Sequence, residues 1–188
     1  MDMSVLEGEI IMVKHAIEFA TKAHEGQFRK GTKRPYIVHP LEVGQIVSTI
    51  TDDEEVISAS ILHDTIEDCE GVTKELLKKE FGERVAELVG SESEDKTKTW
   101  HERKQSTIEH LKYASYDTRI IALADKLSNI RSIDRDYKEV GETLWDRFRM
   151  KDKQIIGWYY IGLMDSLKDL KGLPAYEEYC ELVKKIFE

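Results

Sequence analysis

Two cysteines and three prolines are all that 188 residues contain of either. Cys69 and Cys180 are too few and too far apart for a disulfide framework or a zinc knuckle. There is also no strongly alternating Val/Ile/Thr run of the kind that marks strands. No stretch approaches the roughly 18 apolar residues of a membrane span. The N-terminus, "MDMSVLEGEI", lacks the charged-then-apolar pattern of a signal peptide, so a cytoplasmic location is expected. Net positive charge is also missing: the chain carries −9 at neutral pH. That excludes binding to long nucleic acid through a general field.

What is present is ordinary soluble composition, with 40% apolar and 35% charged residues. Nearly every segment has helical period. Apolar positions Ile10, Val13, Ile17 and Ala20 stripe a first helix that Gly26 ends. Pro40 marks the start of the next, with His39 at or just before its N-cap. "DDEEVISASILHDTIED" reads as one helix. Thr73 starts a helix that stops at Gly82. Thr99 and Glu102 form a capping box. Asp117 is expected to cap "TRIIALADKLSNIRSI", apolar nearly all round and therefore buried. Helices follow at about 138–149 and 152–170, and Pro174 opens the last. With no repeat or linker, the expectation is one all-α domain over 1–188, built from about eight to ten helices.

Within that frame, "ASILHDTIEDCEG" is the anomaly. His63, Asp64, Glu67 and Asp68 fall in six residues, and as a helix they share an arc of roughly 140°. An imidazole and three carboxylates running into "ASIL" are costly unless a metal or protons compensate them. Asp125 is a second anomaly, an acid in the middle of the most apolar helix. It must pair, with Lys126 or a distant Arg, or bind a cation. Asn129 lies one turn on. His39 is held between two prolines in "PYIVHP", a rigidity that suits a ligand. The other histidines sit in highly charged helices and read as surface or satisfied polar residues. His39, His63, Asp64 and Asp125 make a two-nitrogen, two-carboxylate set that suits Mn²⁺, Zn²⁺ or Fe²⁺ better than Mg²⁺ or Ca²⁺. Glu67 and Asp68 stand beside it to handle protons. "RKGTKR" concentrates Arg29, Lys30, Lys33 and Arg34 in an acidic chain, enough for a small phosphorylated substrate or simply a solvated loop.

The order H…HD…D resembles the HD-domain metal-dependent phosphohydrolases. "RKGTKRPYIVHP", "ASILHDTIED", "FGERVAELV" and "LADKLSNIR" resemble the hydrolase domain of the RelA/SpoT superfamily over about Ile17 to Arg131. The resemblance implies a stand-alone alarmone hydrolase that removes the 3′-pyrophosphate of ppGpp or pppGpp, giving GDP or GTP. It implies one Mn²⁺ on His39, His63, Asp64 and Asp125, with Glu67 and Asp68 activating water. Arg29 and Lys30 would face the guanine nucleotide, and Asn129 the ribose or phosphate. The chain departs from the long enzymes at "VGSESEDKTKTWH", where Lys96 or Thr97 is expected to meet phosphate. It departs again at "WDRFRMKDKQIIGWYYIG", where Arg147, Lys151, Lys153 and Tyr159 either close the pocket or belong to an ordinary amphipathic helix. Other HD-type reactions stay open: an NADPH phosphatase, a 5′-nucleotidase, a cyclic-nucleotide phosphodiesterase, or a module that senses a nucleotide without cutting it.

Overall fold

Local signals in the chain set most helix boundaries of the computed structural model. It describes residues 3–91 and 97–188, with side chains from residue 11 onward. Among the described residues every regular element is helical, as expected. The chain divides into two compact units, Met1–Ser93 and Glu94–Glu188.

The first unit holds α1 (Met3–Ala23), α2 (Val38–Ser48), α3 (Glu54–Leu62), α4 (Thr65–Asp68), α5 (Lys74–Phe81) and α6 (Glu83–Ser91). Packed against α1, α2 and α6, α3 is the central helix. Its Val56, Ala59, Ile61 and Leu62 are buried, each contributing up to a few kcal/mol. Gly44 lets α2 approach: a Cβ there would sit 2.5 Å from Ile61 Cγ1. Asp53 caps α3 and Thr73 caps α5 through side-chain bonds to backbone N–H groups. As read from the sequence, α5 stops at Gly82, whose φ of +90° favours glycine.

Two boundaries in this unit differ from the sequence reading. The N-cap of α2 is Ile37, so His39 and Pro40 lie inside the first turn. Proline is tolerated there because first-turn N–H groups have no intrahelical partner. The second difference matters more. The helix expected to run through "DDEEVISASILHDTIED" breaks at His63–Asp64. Side chains take its last carbonyls: Ser60 Oγ donates to Ile57 O at 2.6 Å, His63 Nδ1 to Ser60 O at 2.8 Å and Thr65 Oγ1 to Leu62 O at 2.7 Å. Asp64, at φ −90° and ψ −6°, turns the chain into the single turn of α4.

The second unit holds α7 (Trp100–Leu111), α8 (Tyr116–Val140), α9 (Lys153–Ser166) and α10 (Pro174–Phe187), with 3-10 turns at Gly141–Arg147 and Lys168–Leu170. The Thr99/Glu102 capping box is present on α7. Here α8 packs against α10, and α9 against α7 and α10. Residues Ile120 to Ala124 of α8 are all buried, which bears out the reading of a helix apolar nearly all round. Its cap is Ser115, whose Oγ accepts from Thr118 N at 3.1 Å, and not Asp117. It continues to Val140, so the separate helix expected at 138–149 is the end of α8 and a 3-10 turn. Among the described residues no helix is long and apolar enough to cross a membrane.

Candidate metal centre and its surroundings

The first unit gathers His39, His63 and Asp64 at the start of α2 and the end of α3. Both imidazoles are buried, at 2% and 4% exposure. Asp64 Oδ2 lies 3.1 Å from His63 Nε2 and 3.6 Å from His39 Nε2. Because His63 Nδ1 gives its proton to the Ser60 carbonyl, the Nε2 of the neutral ring carries a lone pair. That lone pair meets a carboxylate oxygen, an arrangement that repels unless a proton or a cation stands among the three groups. A ring nitrogen tied back to a backbone carbonyl is also how ligating histidines are oriented. The residues present therefore fit a divalent ion with nitrogen and oxygen ligands.

Tyr36 adds a support that sequence reasoning missed. Its OH donates to Asp64 Oδ2 at 2.6 Å. Burial, and then the Asp64 carboxylate, push the phenol far above its ordinary value, so it remains a donor. Over its ring stands the Arg29 guanidinium, 5.5 Å from the centroid. The "RKGTKR" loop is a tight hairpin: Phe28 bridges Pro35, and Arg29 N donates to Arg34 O at 2.9 Å. Thr32 closes the turn onto Arg29 O, and Gly31 takes φ +69°. Arg29 is thereby fixed beside the Tyr36–Asp64 pair, while Lys30 is exposed at the tip. Glu67 and Asp68 lie on α4, half-buried and exposed respectively. The helix break removes the single arc expected for the four acidic and imidazole side chains: His63 and Asp64 belong to the turn, Glu67 and Asp68 to the next element.

In the second unit Asp125 is buried at 6% exposure. Lys126 Nζ donates to its Oδ2 and Asn129 Nδ2 to its Oδ1, each at 2.5 Å. The pairing with Lys126, one of the two outcomes open at the sequence level, is thus present. Burial by itself would lower the Lys126 ammonium, but the Asp125 carboxylate together with the Tyr159 and Tyr160 phenols outweighs it, and the net direction is upward. Tyr159 is buried, with Lys104 and Lys126 ammonium groups 4.9 and 5.9 Å from its ring centroid. Lys153 packs over Tyr137 and Trp145, at 5.0 and 5.8 Å. Arg147 pairs with Asp136 at 3.3 Å, and Lys151 with Asp146 at 3.8 Å. Lys96 lies outside the described residues.

A chain whose HD pair stands in a helix break, preceded by a buried histidine and followed by a buried mid-helix acid, has the layout of an HD domain. The sequence pattern of the HD domain matches residues 16–151, and the chain belongs to that family. Among its relatives is the zebrafish (Danio rerio) guanosine-3′,5′-bis(diphosphate) 3′-pyrophosphohydrolase MESH1. The two are 40% identical over 91% of this chain and 89% of the relative. The human MESH1 is 32% identical over 96% of this chain and 95% of the relative. Among solved structures, one described as a metazoan ortholog of SpoT that hydrolyses ppGpp superposes with a TM-score of 0.76. It is 26% identical and covers 93% of this chain and 94% of its own. A Listeria monocytogenes protein superposes with a TM-score of 0.73 at 34% identity, covering 79% of this chain and 98% of its own. Hydrolases of the HD family bind a divalent metal.

Proposed function

We propose that this chain hydrolyses the 3′-pyrophosphate of ppGpp and pppGpp, giving GDP or GTP and pyrophosphate, with residues 1–188 acting as one HD-type catalytic domain in the cytoplasm. The match to 3′-pyrophosphohydrolases over about nine-tenths or more of both chains supports the substrate class. The reading is carried by the donor set. In the first unit Asp64 Oδ2 faces both buried histidines, His39 and His63, and the second unit supplies a buried mid-helix acid, Asp125. These four would hold one Mn²⁺, with Zn²⁺ or Fe²⁺ as alternatives of similar ligand preference. When bound, such an ion supplies Lewis acidity toward water and phosphate.

The remaining roles fall to the chain's own side chains. Glu67 and Asp68 take the proton of the attacking water and return one to the leaving group. Arg29, fixed over Tyr36, and Lys30 at the hairpin tip neutralise substrate charge that a net charge of −9 would otherwise repel. Asn129, one turn beyond Asp125, orients ribose or phosphate. Lys96, Lys153 and Tyr159 complete the nucleotide contacts.

The test is a product assay with purified protein, Mn²⁺ and ppGpp, following nucleotide and phosphate products by chromatography. GDP and pyrophosphate in equal amounts are expected. Intact ppGpp beside efficient release of orthophosphate from NADPH or a 5′-nucleotide overturns the reading.

A further inference from the structure

The end of α1 reaches the site from behind. His24 is buried at 2% exposure, and its Nδ1 donates to Gln27 Oε1 at 2.8 Å. The other end of the same amide, Gln27 Nε2, donates to the backbone carbonyl of Asp68 at 2.8 Å. The His24 ring lies on Tyr36, with centroids 4.9 Å apart, and Tyr36 OH bonds Asp64 Oδ2. Cys69 Sγ fills the space, 3.3 Å from His24 Nδ1 and 4.0 Å from Gln27 Nε2. Burial, with the Asp68 and Asp64 carboxylates, pushes its thiol up to about 11, so Cys69 stays an uncharged thiol there.

These contacts converge on the two ends of α4. A single helical turn does not hold its own geometry in water, because one bond cannot offset the cost of fixing three residues. Here the Asp64 end is held through Tyr36 and the Asp68 end through Gln27. The two clamps touch where the His24 ring lies tilted, by 35°, against Tyr36. The carboxylates at those ends have different jobs in the proposed reaction, and a misplacement of about 1 Å between reacting groups costs on the order of a hundredfold in rate.

We infer that Gln27 is a positioning residue for the hydrolysis: backed by His24, it sets the Asp68 carboxylate relative to Asp64 across α4. This rests on the proton-handling role proposed for Asp68. The experiment is steady-state kinetics on ppGpp with Mn²⁺ for Gln27→Met, Asp68→Asn and the double variant. Gln27→Met keeps length and bulk and removes both hydrogen bonds. It is expected to lower kcat about tenfold, within the range that misplacement gives, with KM within about twofold. In the Asp68→Asn background it should lower kcat no further. Losses that multiply in the double variant, or a rise in KM alone, overturn the inference while the role of Asp68 stands. A full rate for Asp68→Asn overturns the proton-handling role itself, and the inference with it. Gln27→Glu keeps the acceptor for His24 and removes the donor to Asp68. It should lose the same kcat, a normal rate there overturns the inference, and this variant decides if Gln27→Met does not fold.

Discussion

Asp64 and Asp125 are two inward-facing acids held in opposite ways. Asp64 is held by partners from the segment after α1, from α2 and from the end of α3: Tyr36, His39 and His63. Asp125 is held by Lys126 and Asn129, neighbours one and four residues away on one unbroken helix. The described partners of Asp64 are a phenol and imidazoles, neutral in the metal-binding state. One of the described partners of Asp125 is a cation. The same residue type therefore carries two energetic liabilities. Among the described partners, removing the charge of Asp64 leaves no buried cation behind, whereas removing that of Asp125 leaves Lys126 without its carboxylate.

Asp125→Asn should give the largest effect. As a ligand substitution it should weaken Mn²⁺ binding by at least about a hundredfold, the upper range for loss of a mere supporting partner, and activity should fall with it. In metal-free protein it should also cost about 3 kcal/mol, because the Lys126 ammonium loses its carboxylate. Asp64→Asn should lose metal comparably but cost only about 1 kcal/mol without metal. Calorimetric metal titration and denaturant unfolding in chelator measure both. Equal metal-free stability losses at the two positions would erase the distinction, and undiminished Mn²⁺ binding by Asp125→Asn would remove it from the ligand set.

The contrast also explains what was legible in the sequence. Asp125 stood out because its anomaly is local, a charge inside "IALADKLSNI", and its partner was one of the residues named. The Thr73 cap, the Gly82 stop and the Thr99/Glu102 box were legible for the same reason, since each signal spans four residues or fewer. Around Asp64 only the proposed ligands are legible. Tyr36 bonds it from 28 residues away, and Gln27 reaches Asp68 across 41; no period or spacing connects such pairs. The end of α8 is not legible because its apolar pattern stops near Ile133, while the helix continues on Asp134, Lys138 and their ion pairs, including Lys185 from α10.

Tyr36→Phe sharpens the comparison at the next level. It removes one oxygen and leaves the ring under Arg29 and against His24. Asp64 then loses its one hydroxyl donor among the described partners, and the carboxylate is freer to turn. Metal affinity should fall about tenfold, as for other groups that orient ligands, with little change in Tm. Equilibrium dialysis against Mn²⁺ decides it: unchanged affinity would mean that His39 and His63 alone orient Asp64.

The smallest effect tests why Asp64 sits at a break and Asp125 does not. The helix from Glu54 stops because side chains capture its last carbonyls, and Thr65 Oγ1 on Leu62 O is the one of these nearest the turn. Thr65→Val keeps the shape of a fully buried side chain and removes the donor. The Leu62 carbonyl then has two courses. It can stay buried without that bond, which costs about 1–2 kcal/mol. Alternatively, the backbone can swing Ile66 N onto it and run α3 straight into α4, which the valine's β-branching tolerates. The second course would carry Asp64 away from Tyr36 and cost metal affinity. Asp68 is already tied to Asp64 by its own N–H at 2.9 Å, and Gln27 holds the far end of α4, so the first course should win. The expected outcome is a Tm lower by a few degrees with Mn²⁺ affinity within about threefold of the parent. A large loss of Mn²⁺ affinity at unchanged Tm would show that Thr65, more than the clamps on α4, keeps the helix broken where Asp64 needs it.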